Sequence, residues 1–308
     1  MAVIFALLSA LFSALTAICS KIGLRNVDSH VATFLRTGVV LVFVWCFAFA
    51  LGAHRQIPEL TATNLGFLAL SGVATGGSWL CYFKALSIGD LTRVAAIDKS
   101  SVVLTILFGA VFLGEGLWWQ RILGIVAIMI GSFLMLDNGR SGVSSDAAAT
   151  GKSRNMAGNG PSGRRFFSDS RCIFYAGASA VFAALTSIFA KVGLQDMDAN
   201  LATALRTCVV FVFAGLMIPI SGRKKELRFP PKKATIFLSL SAVATAAAWL
   251  FYFNALRDGD VIVVAGIDKL STVFTVGFSF LFLREKITGW RIVGALVHTV
   301  GTLFLLLS

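Results

Sequence analysis

Charge is what this sequence has least of. Across 308 residues, Asp, Glu, Lys and Arg together make up 14%, where soluble domains carry about 25%. So few ions cannot cover a water-facing surface, and a soluble globular enzyme is excluded on that ground alone. Proline is scarce, at 5 residues, and histidine scarcer, at 3. His30, His54 and His298 stand far apart and have no counterparts in one another's surroundings. No Ser/His/Asp set, no metal-ligand spacing and no phosphate-binding Gly-Lys loop occurs, so neither catalysis, a bound cofactor nor direct ATP hydrolysis has residues to rest on. The five cysteines (Cys19, Cys46, Cys81, Cys172, Cys208) lack metal or redox spacing and read as small packing residues. No Asn-x-Ser/Thr acceptor is present.

Acidic residues are also few, 15 against 27 basic, for a net charge of +12. On a soluble domain that excess would suggest nucleic acid. Here it concentrates in 140–171 and 223–233, both between apolar runs, where cations set membrane orientation instead.

What the chain has in abundance is apolar sequence. Hydrophobic residues make up 57%, with 27 Phe, and the mean hydropathy is +0.83. Apolar runs fall near 2–22, 31–51, 64–86, 92–113 and 118–136, and again near 172–193, 201–220, 234–256, 261–283 and 289–307. Each is roughly 18–23 residues long, enough for a helix to cross a ~30 Å hydrocarbon layer. None alternates with period two, so a β-barrel is not expected. The expected fold is an all-α integral membrane protein of ten transmembrane helices. Between the two sets lies 137–170, rich in Gly, Ser, Asn and Ala, which reads as a flexible basic linker.

The two sets are copies. A gap-free shift of 170 residues carries Lys21 onto Lys191, Arg36 onto Arg206, Trp79 onto Trp249, Glu115 onto Glu285 and Gly131 onto Gly301. Between Trp79–Ser101 and Trp249–Ser271, 14 of 23 positions are identical. The units are 1–136 and 171–308, and because the first run recurs inside the chain it reads as a span rather than a cleaved leader. Five spans is an odd number, so the second copy is expected upside down, and inverted repeats around a midplane site are a transporter architecture.

The runs Ser20-Lys21-Ile22-Gly23-Leu24, Val94-Ala95-Ala96-Ile97-Asp98-Lys99 and Gly114-Glu115, with Gly124 and Gly131 in the fifth span, resemble the EamA domain of the drug/metabolite transporter superfamily. The resemblance covers both halves. It implies ten helices and carriage of one of many diverse metabolites. Many members place a proline early in the fourth helix; this chain has Asp98-Lys99 and Asp268-Lys269 there, so a proline kink is not carried over.

Asp98 lies about seven residues, or roughly 10 Å, into the fourth run. A lone carboxylate at that depth costs about 2.5–3.5 kcal/mol and should face a cavity or a partner. Asp98, Ser101 and Thr105 share one helical stripe, as do Asp268, Ser271 and Thr275. Two such stripes facing each other would line a central pathway, with Lys99 and Lys269 tuning the carboxylates. The competing reading is structural ion pairing. Thr75, Trp79 and Tyr82 form a hydrogen-bonding aromatic face repeated as Thr245, Trp249 and Tyr252, suited to an organic solute or to an interfacial belt. Lys84 has Asn254 as its unlike counterpart. Lys21, Lys191, Arg36 and Arg206 lie near helix ends, where they snorkel to headgroups or draw anions into a vestibule. Glu115 and Glu285 read as caps or as partners of Arg121 and Arg291. Gly89-Asp90 and Gly259-Asp260 read as turns in which Gly ends one helix and Asp caps the next.

Taken together, these residues point to a secondary transporter working by alternating access, with a small-molecule substrate between the fourth and ninth spans, coupled to protons or another ion. The excess of basic residues at membrane depth leans towards an anionic or zwitterionic solute. The rivals are a lipid-handling protein or membrane enzyme, and a non-transporting structural subunit. Cation placement puts the linker and 221–233 in the cytoplasm and both termini outside; the resemblance implies the opposite.

Overall fold

A computed structural model of the chain describes residues 1–23, 29–88, 94, 97, 101–116, 118–136, 162–220, 231–283 and 289–307. All regular structure among them is helical. The first unit supplies α1 (Ala2–Gly23), α2 (Ser29–Ala50), a short 3-10 segment (Ala53–Glu59), α3 (Ala62–Ile88), α4 (Ser101–Leu113) and α5 (Trp119–Leu136). The second supplies α6 (Ser162–Gly193), α7 (Ala199–Ile220), α8 (Lys232–Asp258), α9 (Val261–Asp268), α10 (Leu270–Leu283) and α11 (Gly289–Leu306). Among the described residues 8 segments can cross a membrane by length and composition, α9 and α10 counting as one, and two shorter apolar helices lie at Ser101–Leu113 and Trp119–Met135. The protein is an all-α integral membrane protein.

Its radial pattern suits lipid. Large side chains such as Val42, Val126, Ile130, Leu296 and Leu303 point outward and are exposed, whereas the interior is built from small residues. Ala6, Ala10 and Ala14 make a fully buried stripe on α1, and Ala242 and Ala246 one on α8. Lipid tails are as apolar as leucine, so helices associate by close van der Waals approach and by hydroxyl hydrogen bonds. Small residues permit both.

The main packing pairs are α1 with α8, α3 with α6, α5 with α11 and α2 with α7. Each joins the two units. On α5 and α11, a Cβ at Gly124 would meet the Gly301 carbonyl oxygen at 2.7 Å, and one at Gly131 the Gly294 oxygen at 2.6 Å. The low number on one helix meets the high number on the other, so these helices run antiparallel.

Three details depart from the sequence reading. The ninth apolar run is broken: Lys269 is a turn, its N–H donating to the Gly266 carbonyl at 3.3 Å while Thr272 N–H donates to the Lys269 carbonyl at 3.0 Å. Such i→i+3 bonds tighten the backbone, and they do so without proline. The linker's C-terminal end is helical, since α6 starts at Ser162. Gly259 is extended rather than left-handed, and Asp260 makes no capping bond to α9 although it stands at the N-cap position.

Candidate functional site

Lys191, Asp260 and the 114–116 loop meet at one end of the bundle. The carboxylate of Glu115 accepts from Val261 N–H at 2.7 Å and from Ile262 N–H at 2.9 Å. It thus caps α9 from the other unit, an anion placed on the positive end of a helix. Burial pushes its carboxyl above the ordinary range, with the Val261 and Ile262 amides opposing that shift, Asp260 adding to it and Lys191 opposing it. Arg121, an expected partner for Glu115, pairs instead with Asp260 at 2.8 Å and donates to the Gly116 carbonyl at 3.0 Å. Lys191 donates to the carbonyls of Leu256 and Gly259, closing the C-terminal end of α8. Glu115 thus caps the start of α9, and Lys191 caps the carbonyl end of α8.

Deeper in the bundle, two arginines sit in matching settings. Arg206, on α7, is 5% exposed. Its Nε donates to Ser71 Oγ at 3.1 Å and its Nη2 to Thr75 Oγ1 at 2.8 Å, both on α3. Ser71 Oγ donates onward to the Thr186 carbonyl at 2.8 Å, and Thr75 and Thr186 hydroxyls meet at 3.3 Å. The second copy of this network is shifted by 170 residues. Arg36 Nη2, on α2, donates to Thr245 Oγ1 at 3.0 Å; Ser241 Oγ donates to the Thr16 carbonyl at 3.1 Å; and Thr16 and Thr245 hydroxyls meet at 3.2 Å. Arginine from one unit reaches hydroxyls of the other in both cases.

Snorkelling to the headgroups does not describe either arginine. Each lies about two turns inside its helix and donates to hydroxyls of the neighbouring helix. Among the described residues neither has a carboxylate at ion-pair distance. The Arg206 guanidinium instead lies 5.1 Å from the Trp249 ring centroid and 5.2 Å from that of Phe253. Thr245, Trp249 and Phe253 are spaced four apart on α8, so both guanidiniums meet one stripe of one helix, roughly 10 Å apart along its axis.

Tyr252 turns inward, its hydroxyl 2.9 Å from Ser187 Oγ, within electrostatic range of Asp268 and Arg206. An interfacial belt does not account for that position. Asp268, half-buried at the end of α9, accepts from Ser9 Oγ of α1 at 2.9 Å. The polar stripes satisfy themselves: Thr275 Oγ1 donates to the Ser271 carbonyl at 2.7 Å and Thr105 Oγ1 to the Ser101 carbonyl at 2.9 Å. Asp98 and Lys99 lie outside the described residues, as do Glu285 and the Gly89-Asp90 turn. Lys269 is half-buried at the helix break, Lys21 and Trp79 are half-buried, Lys84 is exposed, and Tyr82 packs beside Ala85, Val94 and Ala176. Asn254, the unlike partner of Lys84, donates to Asn200 Oδ1 at 3.1 Å. The structure thus gathers Arg36, Arg206, Thr75, Thr245, Trp249, Tyr252 and Asp268 in the interior and leaves Lys84 and Tyr82 apart. Sequence reasoning missed Ser9, Thr16, Ser71, Thr186, Ser241 and Phe253. Ser71 and Ser241, and Thr16 and Thr186, also recur 170 apart, a signal that was there to read. Among the described residues no group of His, Cys, Asp and Glu could hold a metal ion.

Comparison with known proteins bears on the whole arrangement. The family model of the EamA-like transporter family matches residues 1–137 and 170–307. An uncharacterized transporter in the cobO 3' region of Sinorhizobium sp is 45% identical over 131 residues, covering 42% of this chain and 93% of that protein. An uncharacterized transporter from Archaeoglobus fulgidus is 24% identical over 289 residues, covering 91% of this chain and 89% of its own. A protein crystal structure 15% identical in sequence superposes with a TM-score of 0.78 over 99% of this chain and 96% of that one, which shows a shared fold. The chain belongs to the EamA-like transporter family, matched once in each half, and is a multi-pass membrane transporter.

Proposed function

We propose that this transporter carries a small anionic metabolite by alternating access, driven by an ion gradient. One observation carries the reading: Arg36 and Arg206 sit inside the bundle on hydroxyls and aromatic faces, with no carboxylate at ion-pair distance among the described residues. A guanidinium held away from water without a counter-ion is costly. A mobile anion that visits the site supplies that counter-ion for part of each cycle. Trp249 and Tyr252 offer faces and a hydroxyl for the organic remainder of the solute. Asp268, and Asp98 as its repeat partner, are the groups we assign to the coupling proton.

The architecture that would move the solute is a pair of five-helix units, 1–136 and 171–308, joined by the 137–170 linker and related by inversion to give ten spans. The antiparallel approach of α5 to α11 and the recurrence of each arginine network at a spacing of 170 support it. Residues near such a pseudo-two-fold axis can exchange environments when the bundle rocks.

The test is uptake by proteoliposomes of anionic, zwitterionic, neutral and cationic solutes of similar size, with and without an imposed proton gradient. Saturable uptake confined to anions and accelerated by the gradient is expected. Uptake of cations or neutral solutes alone would overturn the anionic reading.

A further inference from the structure

The two arginine networks are built from matching residues, but they are not satisfied alike. In the second, Arg206 uses both Nε and Nη2, on Ser71 and Thr75. In the first, Arg36 uses Nη2 on Thr245, while its Nε is buried with no hydrogen-bond partner among the described residues. The cause lies one helix away. Ser241, the counterpart of Ser71, is held by Ser20 Oγ at 2.6 Å and gives its own proton to the Thr16 carbonyl. At the position matching Ser20 the second unit has Ala190, which carries no hydroxyl, so Ser71 is left for Arg206. The Ser/Ala difference thus goes with an Nε that is bonded in Arg206 and unpartnered in Arg36, Nη2 being bonded in both.

A second difference lies near Arg36. Cys19 lies within electrostatic range of Arg36. Its counterpart is Phe189, whose ring lies tilted beside Phe67, with centroids 6.1 Å apart. A small side chain stands where the other unit has a large one.

We infer that Arg36, and not Arg206, is the residue that grips the transported anion, through the unpartnered Nε–H and through Nη2, which exchanges Thr245 Oγ1 for the anion's second oxygen. A guanidinium edge of that kind takes a carboxylate, sulfonate or phosphate by two parallel N–H···O bonds. Arg206 then has a different role: it pins α7 to α3. The inference rests on the anion-transport reading above but assigns to it one residue and one chemical group.

The test reads the site directly, with Cys19 as its reporter. In full-length protein with the other four cysteines replaced by alanine, the rates of Cys19 modification by an anionic and by a cationic methanethiosulfonate are compared. Arg36 is expected to favour the anionic reagent by roughly tenfold or more. Arg36→Gln should bring the ratio near one. Ser20→Ala, which copies the residue at 190, should free Ser241 to accept from Nε and lower the ratio several-fold without altering the arginine. Cys19 that neither reagent modifies, or a ratio indifferent to Ser20→Ala, overturns the inference. The same reaction in nanodiscs of phosphatidylcholine and of phosphatidylglycerol separates a soluble oxyanion from a lipid headgroup: a ratio that collapses only in the anionic lipid means a headgroup occupies the edge, and overturns it as well. Failure here with anion uptake intact leaves the transport reading standing. An intact charge ratio with no anion uptake leaves the oxyanion edge and removes transport.

Discussion

At the residue scale, hydroxyls meet buried charges deep in the bundle. Asp268 reaches Ser9, and Arg206 reaches Ser71 and Thr75. A hydrogen bond to a charged group contributes about 1.5–3 kcal/mol. Arg206→Lys keeps the charge but loses the planar fork, so it is expected to lower the melting temperature of the purified protein by several degrees. Unchanged melting would mean the Ser71 bond does not hold α7. Asp268→Asn keeps size and removes titration; transport is expected to fall or to lose its pH dependence while the protein still inserts and folds. A stability loss with an intact transport pH profile would make Asp268 structural. The arginines also mark where sequence reading stopped short. Their nearness to helix ends suggested snorkelling, a rule about distance from the interface. What decided their direction was the hydroxyl stripe on the neighbouring helix, and adjacency of α7 to α3 is not written in either helix alone.

At the scale of elements, the helices were legible because lipid demands long uninterrupted apolar runs, and the repeat was legible because it survived as identities. The break at Lys269 was not, since nothing in Asp268-Lys269 forbids a continuous helix. The crossing of α5 and α11 rests on two glycines per helix. A Cβ on Gly131 would lie 2.6 Å from both the Gly294 oxygen and His298 N, backbone atoms that cannot step aside. Gly131→Ala should force the pair apart, at about 1–3 kcal/mol, read as a lower melting temperature. A Cβ at Gly177 would meet nothing within 4 Å, so Gly177→Ala serves as the neutral control; equal effects at both would deny the close approach. Glu115 gives a pH prediction. Its folded carboxyl binds a proton more tightly than the ordinary value of 4.5 allows, because of burial. A raised carboxyl contributes stability that is complete below the ordinary value and is lost as pH rises through the shifted one. Stability should therefore decline from about pH 4.5 upward, and Glu115→Gln should flatten that decline in melting curves taken across pH. An identical slope in the variant would place the titration elsewhere.

At the scale of the whole molecule, the two ends of the bundle differ in charge, and that difference bears on which one faces the cytoplasm. A Cβ added at Gly259 would lie 2.8 Å from Ala2 Cβ, so the N-terminus shares one end of the bundle with the turn between α8 and α9. Glu115, Lys191 and Asp260 lie at that end too. Its loops carry Glu115, Asp196, Asp198, Asp258 and Asp260 against few cations. On the ten-span reading the 137–170 linker and 221–233 each follow an odd number of spans and are expected at the other end; they carry Lys152, Arg154, Arg164, Arg165 and Arg223, Lys224, Lys225, Arg228, Lys232, Lys233. Cations retained on cytoplasmic loops set orientation, and acidic residues count for little. The basic end is therefore expected in the cytoplasm, with both termini and the Glu115 cap outside. That places a buried, proton-hungry carboxylate where external pH reaches it, and leaves the basic loops against the anionic inner leaflet, where each Lys or Arg adds about 1 kcal/mol. A cysteine placed in the linker should resist an impermeant maleimide in intact cells and react after permeabilisation, while one at Ala2 should react at once. The reverse pattern would show that the cation-rich loops face outward.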